Sequence, residues 1–169
     1  EKYHMKKIFQ VISVILIVAY MIGLFPKQKL YTEITIDASS EKVWKVLTAF
    51  NEYSEWNPFI KSISGDVSVG SQLSVSIQPP GGDAMDFAPK ILVANKNVEL
   101  RWLGRVLMPK LFDGEHFFKI IKLPGDKVQF IQGEQFSGIL ALLLWGSMKE
   151  STEQGFIDMN KALKDRCEN

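Results

Sequence analysis

The chain has very few of the residues that build disulfide frameworks and zinc sites. Its 169 residues include one cysteine, Cys167, and two histidines, His4 and His116. One cysteine cannot form an internal disulfide, so the fold does not depend on the redox compartment. His4 belongs to residues 1–4, which we interpret as a tag remnant before the first methionine. The acids near His116 alternate with it across a strand, so we expect no metal site.

Sequence signatures of the common enzyme classes are also missing. The chain has no Gly-x-Ser-x-Gly elbow, no Walker loop, no dinucleotide fingerprint and no His-Glu-x-x-His motif. These absences argue against those enzyme classes and predict no cofactor. A strong excess of one charge is absent too, because the net charge of +1 divides into +4 over residues 1–29 and −3 over the remainder. No basic face is dense enough to bind a phosphate backbone, so we predict no nucleic-acid partner.

The longest apolar run lies at the N-terminus. It begins at Ile8, ends at Phe25 and contains only Gln10 and Ser13 as clearly polar residues. Its 18 residues approach the minimum length of a helix that spans a bilayer. We therefore predict a single-pass membrane helix that anchors the protein. A short tail with two lysines usually stays in the cytoplasm, which would place the rest of the chain on the extracytoplasmic side.

Two alternatives remain open for this segment. A secretory signal fits the basic start, although no small-x-small cleavage site is evident, and the domain would then be secreted. The run could instead form a buried or partner-facing helix. We divide the chain into an anchor or signal segment at residues 1–29 and a folded domain at residues 30–169.

Residues 30–60 predict a strand, a capped helix and a sharp corner. Ile34 and Ile36 alternate with polar neighbours, which is the period of a half-buried strand. Ser39 is suited to cap the helix that follows, whose apolar side chains recur at helical spacing. Pro58 disfavours helical dihedral angles at the residue before it, so a second short helix should end there.

This order of elements resembles the opening of the polyketide cyclase/dehydrase-like branch of the START-like (SRPBCC, helix-grip) superfamily. Residues 99–117, 128–138 and 155–166 resemble the same branch, so the likeness covers residues 30–167. It implies an α+β helix-grip fold, in which a curved antiparallel sheet wraps around a long C-terminal helix, here preceded by the predicted transmembrane helix. It also implies a cavity between the sheet and that helix. The fold hosts unrelated activities, so the function has to be argued from the site.

The body of the chain divides into short strand patterns separated by turn signals. We predict strands at residues 60–64, 72–78, 85–94, 98–104, 112–122 and 127–137. The last segment repeats apolar residues at spacings near three, four and seven, which predicts a long helix. Its first residues, 139–145, are more apolar than one helix face requires. They could form buried first turns, a pocket lid or a patch that touches a membrane.

Strand alternation selects the candidate ligand-binding residues. In the last two predicted strands, aromatic residues share a face with three polar ones, His116, Gln132 and Glu134. A neighbouring strand adds Trp102 to the same interior, and two aromatic residues flank the corner at Pro58. The predicted ligand-binding residues are Trp56, Phe59, Trp102, Phe112, His116, Phe118, Phe130, Gln132, Glu134, Phe136 and Phe156.

His116 and Glu134 are the candidates for chemistry. Buried polar groups are costly unless they are paired, so each needs a partner. In the simplest interpretation they bond each other, or the backbone, and hold neighbouring strands together. Alternatively they orient a carbonyl or hydroxyl group of a ligand, or they act as an acid/base pair near neutral pH.

Three functions are compatible with these patterns. The leading hypothesis is a membrane-anchored domain that binds a small hydrophobic ligand, lipid-like, isoprenoid or aromatic, in the cavity between sheet and helix. The second is a polyketide cyclase/dehydratase-like enzyme that uses His116 and Glu134. The third is a ligand-free module that binds a protein partner and fills its interior with its own side chains. The sequence does not indicate which protein such a partner would be.

Overall fold

The computed structural model describes residues 2–22 and 26–169. Its helices are α1 (Lys2–Ile22), α2 (Ser40–Thr48), α3 (Tyr53–Trp56) and α4 (Ile139–Glu168), with a 3-10 turn at Phe50–Glu52 between α2 and α3. Its strands are β1 (Gln28–Ile36), β2 (Ile60–Ser64), β3 (Ser74–Ile77), β4 (Met85–Phe87), β5 (Lys90–Asn95), β6 (Glu99–Arg105), β7 (Asp113–Leu123) and β8 (Lys127–Ser137).

Two antiparallel sheets form the β layer. Five strands lie in the order β1-β8-β7-β6-β5, and three lie in the order β2-β3-β4. Backbone hydrogen bonds between residues 70–73 and 89–91 connect the two sheets at one edge. The longest pair, β7 with β8, runs in unbroken register from Asp113 opposite Ser137 to Leu123 opposite Lys127.

Helix α4 packs across this curved layer. Phe156, Met159 and Leu163 are fully buried at spacings that keep them on one face of the helix. On the same side, the Asn160 Nδ2 amide donates a 2.8 Å hydrogen bond to Thr32 Oγ1 on β1. A curved antiparallel sheet covered by a long C-terminal helix confirms the predicted α+β helix-grip fold.

The predicted helix start and corner are confirmed. Ser39 Oγ accepts a 3.2 Å hydrogen bond from the backbone N–H of Lys42, as an N-cap does. Asn57 has extended dihedral angles (φ −88°, ψ 113°), so α3 ends before Pro58. The Asn57 side-chain oxygen then accepts hydrogen bonds from the backbone N–H groups of Phe59 and Ile60, at 3.0 and 2.8 Å.

One predicted strand is wrong. The strands predicted at residues 60–64 and 127–137 have the observed bounds, but the strand predicted at residues 85–94 is two strands, β4 and β5. Pro89 lies between them and has no N–H to donate to a neighbouring strand. The break lets β4 join the three-stranded sheet while β5 joins the five-stranded sheet.

The predicted membrane anchor is not supported. Within residues 2–22 and 26–169, no helix is long and apolar enough to cross a membrane. Lys2, Lys6 and Lys7 occupy the first turns of α1, so the apolar part of the described helix begins only at Ile8. The end of the predicted apolar run, residues 23–25, lies outside the described residues. The division of the chain at residue 29 stays a prediction.

Two glycines of α4 predict opposite effects of the same substitution on stability. A Cβ atom at Gly155 would overlap the Phe59 ring, which is 3 % exposed and packs edge-on against Phe156. A Cβ atom at Gly146 would have no neighbour within 4 Å. We expect Gly155→Ala to lower the free energy of unfolding by about 1–3 kcal/mol through overpacking. Gly146→Ala should raise it by about 1 kcal/mol, because alanine favours the helix.

Urea unfolding of both variants measures these free energies. Because both variants gain the same helix propensity, the difference between them reports the overlap with Phe59. A stabilising effect at both glycines would show that α4 does not press on Phe59.

The buried thiol near the end of α4 predicts a dependence of stability on alkaline pH. Cys167 is 1 % exposed, and burial raises the pKa of its thiol to about 11. The unfolded chain loses this proton at lower pH, so stability is complete below the unfolded pKa and falls as pH rises towards 11. Between pH 8 and 10, the free energy of unfolding should fall by about 2 kcal/mol more in the wild type than in Cys167→Ala.

Denaturant unfolding under reducing conditions at a series of pH values measures this difference. Burial also raises the pKa of Tyr53, but this contribution is the same in both proteins and cancels in the comparison. Parallel pH profiles for the two proteins would contradict the prediction.

Candidate functional site

A cavity of about 350 Å³ lies between the two sheets and the first half of α4. Most of its wall is apolar, and the polar side chains are few. The lining residues are Phe59, Val75, Ile77, Pro79, Met85, Phe87, Pro89, Trp102, Gly104, Arg105, Val106, Phe112, Gly114, His116, Glu134, Phe136, Leu140, Leu144, Ser147, Met148 and Thr152.

Strand register brings the polar residues of the cavity together. His116 on β7 lies directly opposite Glu134 on β8 and directly opposite Trp102 on β6. Because residues opposite each other on neighbouring strands point to the same face, all three side chains enter the interior side by side. The alternation predicted from the sequence for these strands is therefore confirmed.

The His116 imidazole is held on all sides. It is 2 % exposed and stacks on the Trp102 ring at 5.2 Å, with the edge of Phe156 at 5.0 Å. Its Nδ1 lies 3.2 Å from Glu134 Oε2, and its Nε2 lies 3.3 Å from the side-chain amide nitrogen of Gln132. An amide nitrogen only donates, so Nε2 is the acceptor and the proton is on Nδ1, which donates to Glu134.

Gln132 completes this network below the cavity. The side chain is fully buried, and its amide nitrogen also donates to the Met159 sulfur at 3.4 Å. Its carbonyl oxygen is buried without a hydrogen-bond partner among the described residues. Gln132 therefore fixes the tautomer of His116 but does not reach the cavity.

The Glu134 carboxylate presents one oxygen to the cavity. Oε2 is bonded to His116, and no hydrogen bond or ion pair engages Oε1 in the described part of the chain. Oε1 lies above Gly114, where a Cβ atom would overlap it. Gly114 therefore leaves the space that this carboxylate oxygen occupies.

The other charged residue of the lining is neutralised at the rim. Arg105 is half exposed, and its Nε lies 3.4 Å from Asp113 Oδ1, an ion pair that does not form a hydrogen bond. Arg101 lies on the outer face of β6, where it pairs with Glu99 and Glu115. Among the described residues, Arg105 therefore pairs with a carboxylate, whereas Glu134 pairs with no lysine or arginine.

Six of the eleven predicted ligand-binding residues line the cavity: Phe59, Trp102, Phe112, His116, Glu134 and Phe136. Phe118, Phe130, Gln132 and Phe156 are instead fully buried in the packed core. Trp56 lies elsewhere on the surface, where it packs against Tyr53 at 4.9 Å between ring centroids. A role in ligand binding stays a prediction for each of them.

Sequence reasoning missed the lining that comes from other elements. Val75, Met85 and Phe87 belong to the three-stranded sheet, whose position across the cavity is a tertiary feature. The apolar start of α4, residues 139–145, is partly buried and partly at the cavity. Ala141 is buried, whereas Leu144 lines the cavity and is 47 % exposed.

A metal centre is not evident in residues 2–22 and 26–169. They contain no group of three or more His, Cys, Asp or Glu side chains that could hold a metal ion. Asp113 and Glu115, the two acids near His116, form ion pairs with arginines instead.

Residues 27–107 match the sequence profile of a family described as "Polyketide cyclase / dehydrase and lipid transport". This match and the structural neighbours confirm the START-like resemblance predicted from the sequence. No significant match was found among curated proteins.

Solved structures with a similar fold differ widely in their described activities. A START superfamily protein from Mycobacterium smegmatis aligns with a TM-score of 0.63 and 20 % identity, over 83 % of this chain and 97 % of that one. Norcoclaurine synthase from Thalictrum flavum, in complex with dopamine and hydroxybenzaldehyde, aligns with a TM-score of 0.63 and 12 % identity, over 83 % and 86 %.

The aromatase/cyclase BexL, from the BE-7585A biosynthetic pathway, has two domains. It aligns with a TM-score of 0.69 and 13 % identity over 85 % of this chain, which spans only half (50 %) of its length. At these identities, all three likenesses show the fold alone.

Proposed function

We propose that this chain, a START-like domain of the polyketide cyclase/dehydrase-like branch, binds a small, mostly apolar molecule in the cavity beneath α4. The cavity is the observation that carries the proposal. Its volume of about 350 Å³ lies within the usual range of ligand pockets, and its wall is apolar with a few convergent polar groups. A ligand-free interaction module would fill this space with its own side chains, since protein interiors are normally close-packed.

The lining indicates which molecules would fit. Phe59, Trp102, Phe112 and Phe136 contribute aromatic surface, which favours an aromatic, isoprenoid or lipid-like ligand. Norcoclaurine synthase binds two small aromatic molecules, and the matched family is described as including lipid transport. Both agree with this ligand class. An extracytoplasmic or secreted location stays a prediction.

A specific contact favours a second candidate function. His116 Nδ1 and Glu134 Oε2 are 3.2 Å apart in the wall of an apolar cavity, as an acid/base pair of a cyclase- or dehydratase-like enzyme would be. The arrangement supports binding better than catalysis. His116 presents neither ring nitrogen to the cavity, because Glu134 and Gln132 engage both.

Filling the cavity should weaken binding without unfolding the protein. Gly104 lines the cavity, and a Cβ atom there would meet its nearest neighbours at ordinary distances of 3.8 and 3.9 Å. We expect Gly104→Leu to weaken the binding of the neutral fluorescent probe N-phenyl-1-naphthylamine by about tenfold or more, because overpacking costs about 1–3 kcal/mol. Fluorescence titration of the full chain measures this change.

Gly146→Leu is the matched control, because Gly146 is exposed on α4 and does not line the cavity. It should bind the probe as the wild type does. Equal affinity in the wild type and in Gly104→Leu, with both proteins folded by circular dichroism, would place the probe elsewhere and contradict the proposal.

The acid/base alternative has its own test. A general base in the cavity would speed the exchange of the methyl protons of 2-acetonaphthone with D₂O. On the binding proposal, NMR should show the same exchange rate with the wild type, with His116→Gln and in buffer. Exchange that is about a hundredfold faster with the wild type and is lost in His116→Gln would favour the enzyme instead.

A further inference from the structure

We infer that the ligand of this cavity carries a hydrogen-bond donor, a hydroxyl or ammonium group, which Glu134 Oε1 accepts. The inference rests on the proposed function, because it names the chemical class of the molecule that the same cavity binds. Such a site would select against ligands whose polar group is a carbonyl, an ether or a carboxylate.

The hydrogen bonds around His116 determine which way Glu134 can act. Gln132 donates to Nε2 of His116, so Nδ1 carries the proton and donates to Glu134 Oε2. Glu134 is thereby fixed with Oε2 towards His116 and Oε1 towards the cavity. A carboxylate oxygen only accepts hydrogen bonds, so the cavity offers an acceptor at this point.

Gly114 provides independent support for this assignment. Its backbone does not have the positive φ angle that would itself require glycine. A Cβ atom at this position would overlap Glu134 Oε1. Because Gly114 has no side chain, the Glu134 carboxylate has room at the cavity wall. No described residue forms a hydrogen bond with Oε1 there.

The surroundings of Glu134 make an unmatched ligand costly. The neighbouring lining side chains, Trp102, Phe112 and Phe136, are aromatic, and none of them donates a hydrogen bond to Oε1. A bound molecule without a donor would remove water from the carboxylate and leave Oε1 unpaired, which is strongly unfavourable. A molecule with a donor replaces that water, so discrimination follows from one hydrogen bond.

Ligands that share one aromatic skeleton separate this effect from apolar burial. 2-Naphthol and 2-(aminomethyl)naphthalene carry a donor, 2-methoxynaphthalene carries only an acceptor, 2-methylnaphthalene has neither, and 2-naphthoate is an anion. Their affinities are measured by displacement of N-phenyl-1-naphthylamine from the full chain. We expect both donors to bind the wild type about tenfold tighter than the methyl and methoxy compounds, and 2-naphthoate to bind most weakly.

Glu134→Gln should remove the preference for donors. The His116 Nδ1–H still requires an acceptor, so the new amide would direct its oxygen to His116 and its NH₂ group to the cavity. The oxygen atoms of 2-methoxynaphthalene and 2-naphthol can both accept from this NH₂ group, so the preference for 2-naphthol over 2-methoxynaphthalene should disappear. The affinity for 2-methylnaphthalene should change little.

Gly114→Ala provides a second test that keeps the carboxylate but displaces Oε1. It should lose the preference for donors, whereas Gly146→Ala, at an exposed glycine of α4 that does not line the cavity, should keep it. Affinities that follow only the apolar surface of the probes, in the wild type and in Glu134→Gln alike, would overturn this inference and leave the proposed function standing. Failure of every probe to bind the cavity would overturn both.

Discussion

The register between β7 and β8 is the constraint on which the rest of the site depends. It places His116 opposite Glu134, and β6 adds Trp102 opposite His116. A slip of one residue would turn every one of these side chains to the other face of the sheet. The hydrogen bonds of His116 with Glu134 and Gln132 also depend on this register, since the three polar groups can share an apolar interior only when they satisfy one another.

The cavity exists because α4 packs closely on the sheet along only part of its length. From Thr152 to Cys167 the helix buries a regular series of residues, and at Gly155 it touches the Phe59 ring. Between residues 142 and 151 it buries none. Here α4 and the three-stranded sheet stand apart from the five-stranded sheet and enclose the apolar space. The same helix therefore provides both the packed core and one wall of the binding site.

Local sequence patterns predicted the fold well, because helix caps, corners and strand alternation each depend on a few consecutive residues. The Ser39 cap, the Asn57 corner and the bounds of β2 and β8 follow from dihedral preferences and alternation over a few residues. The site was predicted only in part. Alternation placed Phe118, Phe130 and Phe136 inward but could not show that the first two are fully buried in the core while Phe136 lines the cavity. The roles of Gly114 and of the three-stranded sheet depend on packing between elements far apart in sequence.

The central claim is that the cavity holds one small, mostly apolar molecule. Native mass spectrometry of the full chain, purified gently and then incubated with mixed lipids and small aromatic compounds, tests it most directly. The account predicts a single bound molecule per chain, released on denaturation, that carries a hydroxyl or amine group and is missing from Gly104→Leu. A bare protein mass after every incubation, or equal occupancy of Gly104→Leu, would contradict it.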